Sequence, residues 1–200
     1  MLHKKIKFLC LFLTMGIAIV RAQSSFEKTL LQPSGSDMGQ TYIYGNNTFR
    51  FDISPQTGKW IFHFGDTGGR FLFDFEIPQQ TDCMEPVFFV NSKHKTSILV
   101  LVPIKLSFNE GCLVFACTEA KSAEYIGFLD VAAYSKTDEG YMDYNSVAPY
   151  TTVIEINDRW VFSFEIPFVV LSPGSSDEEI LKGNAIFYRY SKDGWELKRN

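Results

Sequence analysis

Hydrophobic and polar residues alternate with a period of two along residues 49–77. Phenylalanine, tryptophan or isoleucine occupies every second position, and most of the positions between them are polar or charged. This alternation predicts β-strands that each have one buried face and one wetter face. Turn-forming residues separate the three runs, at 54–58 and 65–69. The pattern therefore predicts a three-stranded antiparallel meander.

The hydrophobic pattern becomes continuous in the middle of the chain. Residues 87–90, 98–102 and 113–117 are almost entirely apolar. Continuous short apolar runs are typical of central strands that are covered on both faces. Residues 125–134 form a further strand candidate.

Two hairpins are predicted near the end of the chain. The first joins 151–156 to 159–166 across Asn157-Asp158, a strong turn pair, and the second joins 186–190 to 195–198. Only residues 177–181 have a helical pattern, which ends at Gly183. Together these elements predict an all-β fold over residues 41–200: a single-domain antiparallel β-sandwich of the jelly-roll kind, with a closed β-barrel as the alternative.

The N-terminal residues have the features of a secretory signal peptide. Three lysines precede an apolar run at 8–20, and the small residue Ala22 follows. Because a membrane-spanning helix needs about 20 apolar residues, this run favours a cleaved leader over residues 1–22. We therefore expect a secreted or periplasmic protein that begins at Gln23 and has no membrane span after cleavage. Residues 23–40 are polar and predict a loose N-terminal arm.

The leader also changes the charge balance. The whole chain has a formal net charge of −4, and the leader contains four basic residues and no acidic one, so its removal gives −8. An acidic surface repels phosphate backbones, which argues against nucleic acid as a partner. Carbohydrate, a small-molecule ligand or an extracellular protein remain as possible partners.

Three cysteines follow the predicted leader. Cys112 and Cys117 flank an apolar run, and five residues of extended strand would separate their Cα atoms by about 16 Å, which is too far for a disulfide. The sequence instead predicts a disulfide from Cys83 to either Cys112 or Cys117. No Cys-x-x-Cys pair is present, and the two histidines after the leader, His63 and His94, are isolated, so neither a metal site nor a cofactor is predicted.

We find no motif for catalysis, and the candidate site is one for recognition. Residues 135–150 combine tyrosines with carboxylates, and aromatic rings beside carboxylates suit a sugar. The predicted ligand-binding residues are Tyr141, Tyr144, Asp138 and Asp143. The alternative is a solvated loop whose tyrosines pack back on the sheet. The sequon Asn46-Asn47-Thr48 adds a candidate glycosylation site.

Two local resemblances bear on the ligand class. Residues 160–189, with Trp160 and Glu165-Ile166-Pro167, resemble the closing hairpin of family 9-type carbohydrate-binding modules, which implies a β-sandwich that binds carbohydrate. Gly58-Lys59-Trp60 resembles the Gly-x-Trp of lipocalins, which implies a barrel that carries a small apolar ligand. The sequence thus favours a secreted non-catalytic recognition protein, with carbohydrate as the first ligand class to test. The alternatives are a lipocalin-like carrier and a structural or interaction protein of the envelope or matrix.

Overall fold

The computed structural model describes residues 24–36, 39–78, 82–83, 85–106, 109–118, 122–136 and 142–200. It is 69% strand and 4% helix, which confirms the all-β prediction. The strands are β1 Ser24–Thr29, β2 Ser34–Ser36, β3 Gly39–Tyr44, β4 Asn47–Ile53, β5 Trp60–Asp66, β6 Phe71–Glu76, β7 Asp82–Cys83, β8 Val87–Asn91, β9 Ser97–Leu106, β10 Asn109–Thr118, β11 Ser122–Leu129, β12 Val131–Lys136, β13 Met142–Ser146, β14 Thr151–Ile156, β15 Arg159–Phe164, β16 Phe168–Leu171, β17 Glu179–Lys182, β18 Ile186–Ser191 and β19 Gly194–Arg199.

The largest sheet follows the order β11-β10-β9-β8-β1-β14-β15-β18-β19, and β7 pairs with β9 beside this path. Its strand pairs are antiparallel. The two edge strands, β11 and β19, meet where the indole Nε1 of Trp195 donates a hydrogen bond of 3.1 Å to the carbonyl of Phe128. The sheet is therefore curled into a nearly closed barrel.

Side chains fill the inside of this curled sheet. Leu99, Val114, Val153 and Phe162 are almost completely buried there, since each strand turns every second residue inward. A four-stranded sheet, β13-β12-β16-β17, adds inward residues such as Val169. The interior is a packed hydrophobic core, and each large buried side chain contributes about 1.5–3 kcal/mol.

A five-stranded sheet, β2-β3-β4-β5-β6, packs on the outer face of β8, β9 and β10. The rings of Phe62 from β5 and Phe115 from β10 lie 4.5 Å apart between the two layers. Strand β9 is consequently buried on both faces, with Leu99 facing the barrel interior and Val100 facing the second sheet. This confirms the prediction that the continuous apolar runs are central strands. The fold combines a sandwich of two packed sheets with a barrel-like curl in one of them.

The predicted meander is confirmed as β4, β5 and β6, and the structure extends it by β2 and β3. The hairpin across Asn157-Asp158 is also confirmed. Both turn residues have positive φ angles, 52° and 59°, as a tight two-residue hairpin turn requires.

Residues 24–29 differ from the loose arm that their composition predicts. They form β1, which lies inside the large sheet between β8 and β14. Phe26 in this strand is only 6% exposed. This short strand has little apolar content, and backbone hydrogen bonds to a neighbouring strand on each side hold it in the sheet. The composition of the segment does not indicate this pairing. The predicted leader, residues 1–22, lies outside the described residues.

The helix predicted at 177–181 is wrong. Residues Glu179–Lys182 form β17, which pairs in register with β16. An isolated helix of one turn is marginal because its nucleation is costly, whereas a strand of four residues gains ladder bonds at once.

Candidate functional site

A pocket of about 430 Å³ opens at one end of the curled sheet. It lies just beyond the point where β1 and β8 stop pairing, at the Thr29–Phe88 register. We call it the proline-lined pocket, because three prolines contribute to it. The lining comes from four parts of the chain: the end of β1 with the two residues after it, the start of β8 with the two residues before it, β9, and the end of β13 with the turn that follows. The lining residues are Lys28, Thr29, Leu30, Leu31, Glu85, Pro86, Val87, Phe88, Pro103, Ser146 and Pro149.

The prolines explain why the backbone leaves a space here. Proline has no N–H to donate to a sheet ladder, so strands tend to stop or remain unpaired beside it. Pro86 directly precedes β8, and Pro149 lies in the 3-10 turn Ala148–Tyr150 that follows β13. Their fixed φ angles also make the wall stiff, so little conformational entropy would be lost when a ligand is bound.

The lining is mainly apolar, with two charged side chains. The ammonium of Lys28 donates a hydrogen bond to the carbonyl of Pro149 and lies 5.9 Å from the centroid of the Phe89 ring. Glu85 is exposed. Leu30 lines the pocket and is 81% exposed. The arrangement presents an apolar surface and a positioned cation to a ligand that enters from solvent.

Ser146 connects the pocket to a buried thiol. Its hydroxyl lies 3.8 Å from the sulfur of Cys112 and accepts a hydrogen bond of 3.2 Å from the amide of Ala148. Burial raises the pKa of Cys112 to about 12. The thiol is therefore protonated at neutral pH and is unsuited to act as a nucleophile.

The other end of the curled sheet carries an aromatic and acidic row, which we call the aromatic end. It comprises Glu155, Trp160 and Tyr190, which are neighbours across three strands. The two rings lie 5.3 Å apart at 33°. The Tyr190 hydroxyl donates to Glu124 over 3.1 Å.

The carboxylate of Glu155 is held in a small polar network at this end. Its Oε2 accepts hydrogen bonds from the Ser24 hydroxyl at 2.5 Å and the Asn91 amide at 2.9 Å. Ser24 is 3% exposed and Asn91 is 1% exposed. Buried polar groups need such partners, so the network explains how the polar side chains of β1 and β8 are accommodated inside the sheet.

The residues of the predicted recognition loop are not all described. Tyr141 and Asp138 lie outside the described residues. Tyr144 lies on β13, where its hydroxyl donates to Glu178 over 2.6 Å, and this bond raises its pKa to about 12. Asp143 accepts a hydrogen bond of 2.9 Å from Asn145. Because successive strand residues point to opposite faces, Tyr144 and Asp143 are not brought together on one surface.

The predicted disulfide is corrected by the structure. Cys112 and Cys117 are both free and buried. The backbone of Cys83 pairs with Ile104 on one side of β9, while β10 pairs on the other side. Cys83 is therefore at least two inter-strand spacings, about 9.6 Å, from the cysteines of β10. This exceeds the usual 4.4–6.8 Å between the Cα atoms of a disulfide. As predicted, Cys112 and Cys117 lie on opposite faces, one in each core.

His63 has charged partners that the sequence did not suggest. On the outer face of the five-stranded sheet, its Nδ1 lies 2.5 Å from Asp74 and its Nε2 lies 3.7 Å from Asp52. Asp52 is also paired with Arg50 at 2.6 Å. Within the described parts of the chain, no group of three or more histidines, cysteines and acids is arranged to hold a metal ion.

Sequence reasoning missed the residues that line the pocket. Pro103 inside an otherwise continuous apolar run was a usable signal, because a proline in a central strand implies that the ladder is interrupted. Lys28 had no such signal, since nothing local shows that residues 24–29 pair within the sheet.

Within the described residues, no helix is long and apolar enough to cross a membrane. No protein-family model, no curated protein and no solved structure matches the chain.

Proposed function

We propose that this chain is a secreted or periplasmic, non-catalytic binding protein whose proline-lined pocket holds a small apolar ligand. The pocket itself is the observation that carries the proposal. Its volume of about 430 Å³ falls within the 300–1,000 Å³ that small-molecule sites usually have. Of the functions that the sequence left open, this is the carrier of a small apolar ligand, with the site at the end of the curled sheet.

The chemistry of the lining supports an apolar ligand. Leu30, Leu31 and Val87 supply aliphatic surface, and the prolines add rigid C–H faces. Exposed apolar surface gathered around a concavity indicates a binding site more strongly than scattered exposed residues do. The location outside the cytoplasm is proposed from the leader pattern alone.

A neutral fluorescent probe tests this proposal. N-phenyl-1-naphthylamine becomes bright in apolar surroundings, so titration with the protein should give a saturable rise in fluorescence. Leu30→Ser should weaken the binding severalfold and leave the melting temperature almost unchanged, because this side chain is 81% exposed. Ile43→Ser is the matched control, since Ile43 is 55% exposed and does not line the pocket. Absence of saturable binding, or an equal effect of both variants, would refute the proposal.

Carbohydrate recognition is the second candidate, and the aromatic end favours it. Trp160 and Tyr190 place ring surface beside the carboxylate of Glu155, a combination that suits sugar C–H faces and hydroxyls. A glycan array on the wild-type protein tests this function. If a glycan binds, Tyr190→Ala and Tyr144→Ala separate the aromatic end from the loop that the sequence predicts. An array without signal would remove this candidate.

A further inference from the structure

We infer that the proline-lined pocket selects an amphipathic monoanion, a small molecule with a carboxylate or similar acidic head and an apolar body. In this arrangement the head lies at Lys28 and the apolar body lies against Leu30, Leu31 and Val87. This inference rests on the proposed function, because it names the ligand class of the same site.

The position of the Lys28 ammonium is the first argument. Its hydrogen bond to the Pro149 carbonyl and its place 5.9 Å from the Phe89 ring hold the charge at the pocket wall. A backbone carbonyl orients the ammonium but does not neutralise it. Among the described residues, no carboxylate forms an ion pair with Lys28. An acidic ligand would supply that missing counter-charge.

The second argument is the contrast with Glu85, the other charged residue of the lining. Both side chains are exposed, but Lys28 makes two contacts, with the Pro149 carbonyl and the Phe89 ring, whereas no hydrogen bond or ion pair to Glu85 is seen within the described residues. A pre-positioned charge loses less side-chain entropy on pairing than a free one. The pocket should therefore bind an anion more tightly than a cation. Repulsion from Glu85 weakens the attraction between an anion and Lys28 but does not reverse it.

The expected preference is modest because the pocket is open to solvent. Exposed ion pairs are weak, and partial removal of water by the apolar body strengthens them. We expect an acidic ligand to bind about 3- to 10-fold more tightly than a neutral one of the same length. Added salt should reduce this difference.

Three ligands of equal chain length test the inference: decanoate, decanol and decylamine, each displacing N-phenyl-1-naphthylamine. Decanoate should displace the probe at the lowest concentration. Lys28→Met keeps the aliphatic stem over Phe89 but removes the charge, so it should abolish the advantage of decanoate and leave decanol unchanged. Lys28→Arg should restore much of the advantage, and Glu85→Gln should increase it. Lys95→Gln, an exposed lysine outside the pocket, is the control.

The outcomes separate this inference from the function on which it rests. If the neutral probe does not bind, both are refuted. If the probe binds but decanoate has no advantage over decanol, or the advantage survives in Lys28→Met, only the monoanion inference is refuted. A preference for decylamine would assign the selectivity to Glu85 and would also refute it.

Discussion

The indole of Trp195 occupies the space beside Gly127 where any other residue would carry its Cβ. A Cβ at Gly127 would lie 2.4 Å from the indole Cδ2 atom. Gly127 lies on β11 and Trp195 on β19, which are the two edges of the curled sheet. The absence of a side chain at Gly127 thus lets β11 and β19 approach each other. The hydrogen bond from the Trp195 indole to the Phe128 carbonyl connects the two strands.

The first prediction concerns this closure. Gly127→Ala should lower the free energy of unfolding by about 1–3 kcal/mol, because the added methyl group forces the indole out of its packed position. Urea denaturation followed by tryptophan fluorescence measures the change. In a Trp195→Ala background the same substitution should cost much less, since the clash is removed. Equal costs in both backgrounds would mean that the two residues do not meet.

The second prediction concerns β1. Phe26 is 6% exposed inside the curled sheet, so Phe26→Ala should destabilise the protein by about 3–5 kcal/mol. Glu27 on the same strand has a side chain that is 61% exposed, and among the described residues its carboxylate pairs only with Lys95 at the surface. Glu27→Ala should therefore change stability by no more than about 1 kcal/mol. Thermal unfolding of both variants makes the comparison, and similar small effects would support the loose arm that composition predicts.

The third prediction concerns alkaline pH. Burial raises the pKa of Cys112 from 9.0 to about 12 and also raises that of Cys117. Because the folded state holds these protons more tightly, their contribution is fully present below pH 9 and is lost as pH rises toward 12. Each thiol should lower the free energy of unfolding by up to about 1.4 kcal/mol per pH unit in this range.

Comparison with Cys112→Ala separates the contribution of the thiol from that of the tyrosines, which titrate in the same pH range. The variant should show a shallower decline of stability between pH 9 and the folded-state pKa.

In the folded protein at pH 8, a thiol reagent should leave Cys112 and Cys117 unmodified, and both should react after unfolding. Rapid modification of either in the native state, or a crosslink to Cys83, would contradict the burial and strand order.

The fourth prediction concerns Tyr144. Its hydrogen bond to Glu178 raises its pKa from 10.0 to about 12, because ionisation would place two negative charges side by side. Glu178→Gln should bring the pKa of Tyr144 back toward 10. In an absorbance titration at alkaline pH, the variant should therefore show one more tyrosine ionising near pH 10 than the wild-type protein does. Glu165→Gln is a control, since Glu165 is an exposed glutamate on another part of the surface. An unchanged titration would mean that the bond is not formed in solution.

The sequence determined the elements of this protein that depend on local pattern. Alternating residues at 49–77 predicted β4 to β6, and Asn157-Asp158 predicted its hairpin, because period and turn preference act over a few residues. The continuous runs also predicted strands buried on both faces. These signals are local, and they were sufficient for the fold class.

Tertiary structure decided the features that depend on residues far apart in the chain. Ser24 and Phe26 became part of a central strand because β8 and β14 lie on either side of it, 60 or more residues away. Lys28 reached the pocket for the same reason, and Gly127 met Trp195 only when the sheet curled. Such pairings are selected by the fit between whole surfaces, and no local pattern of β1 specifies its partners. The candidate site arose at these long-range contacts, so the sequence alone could not locate it.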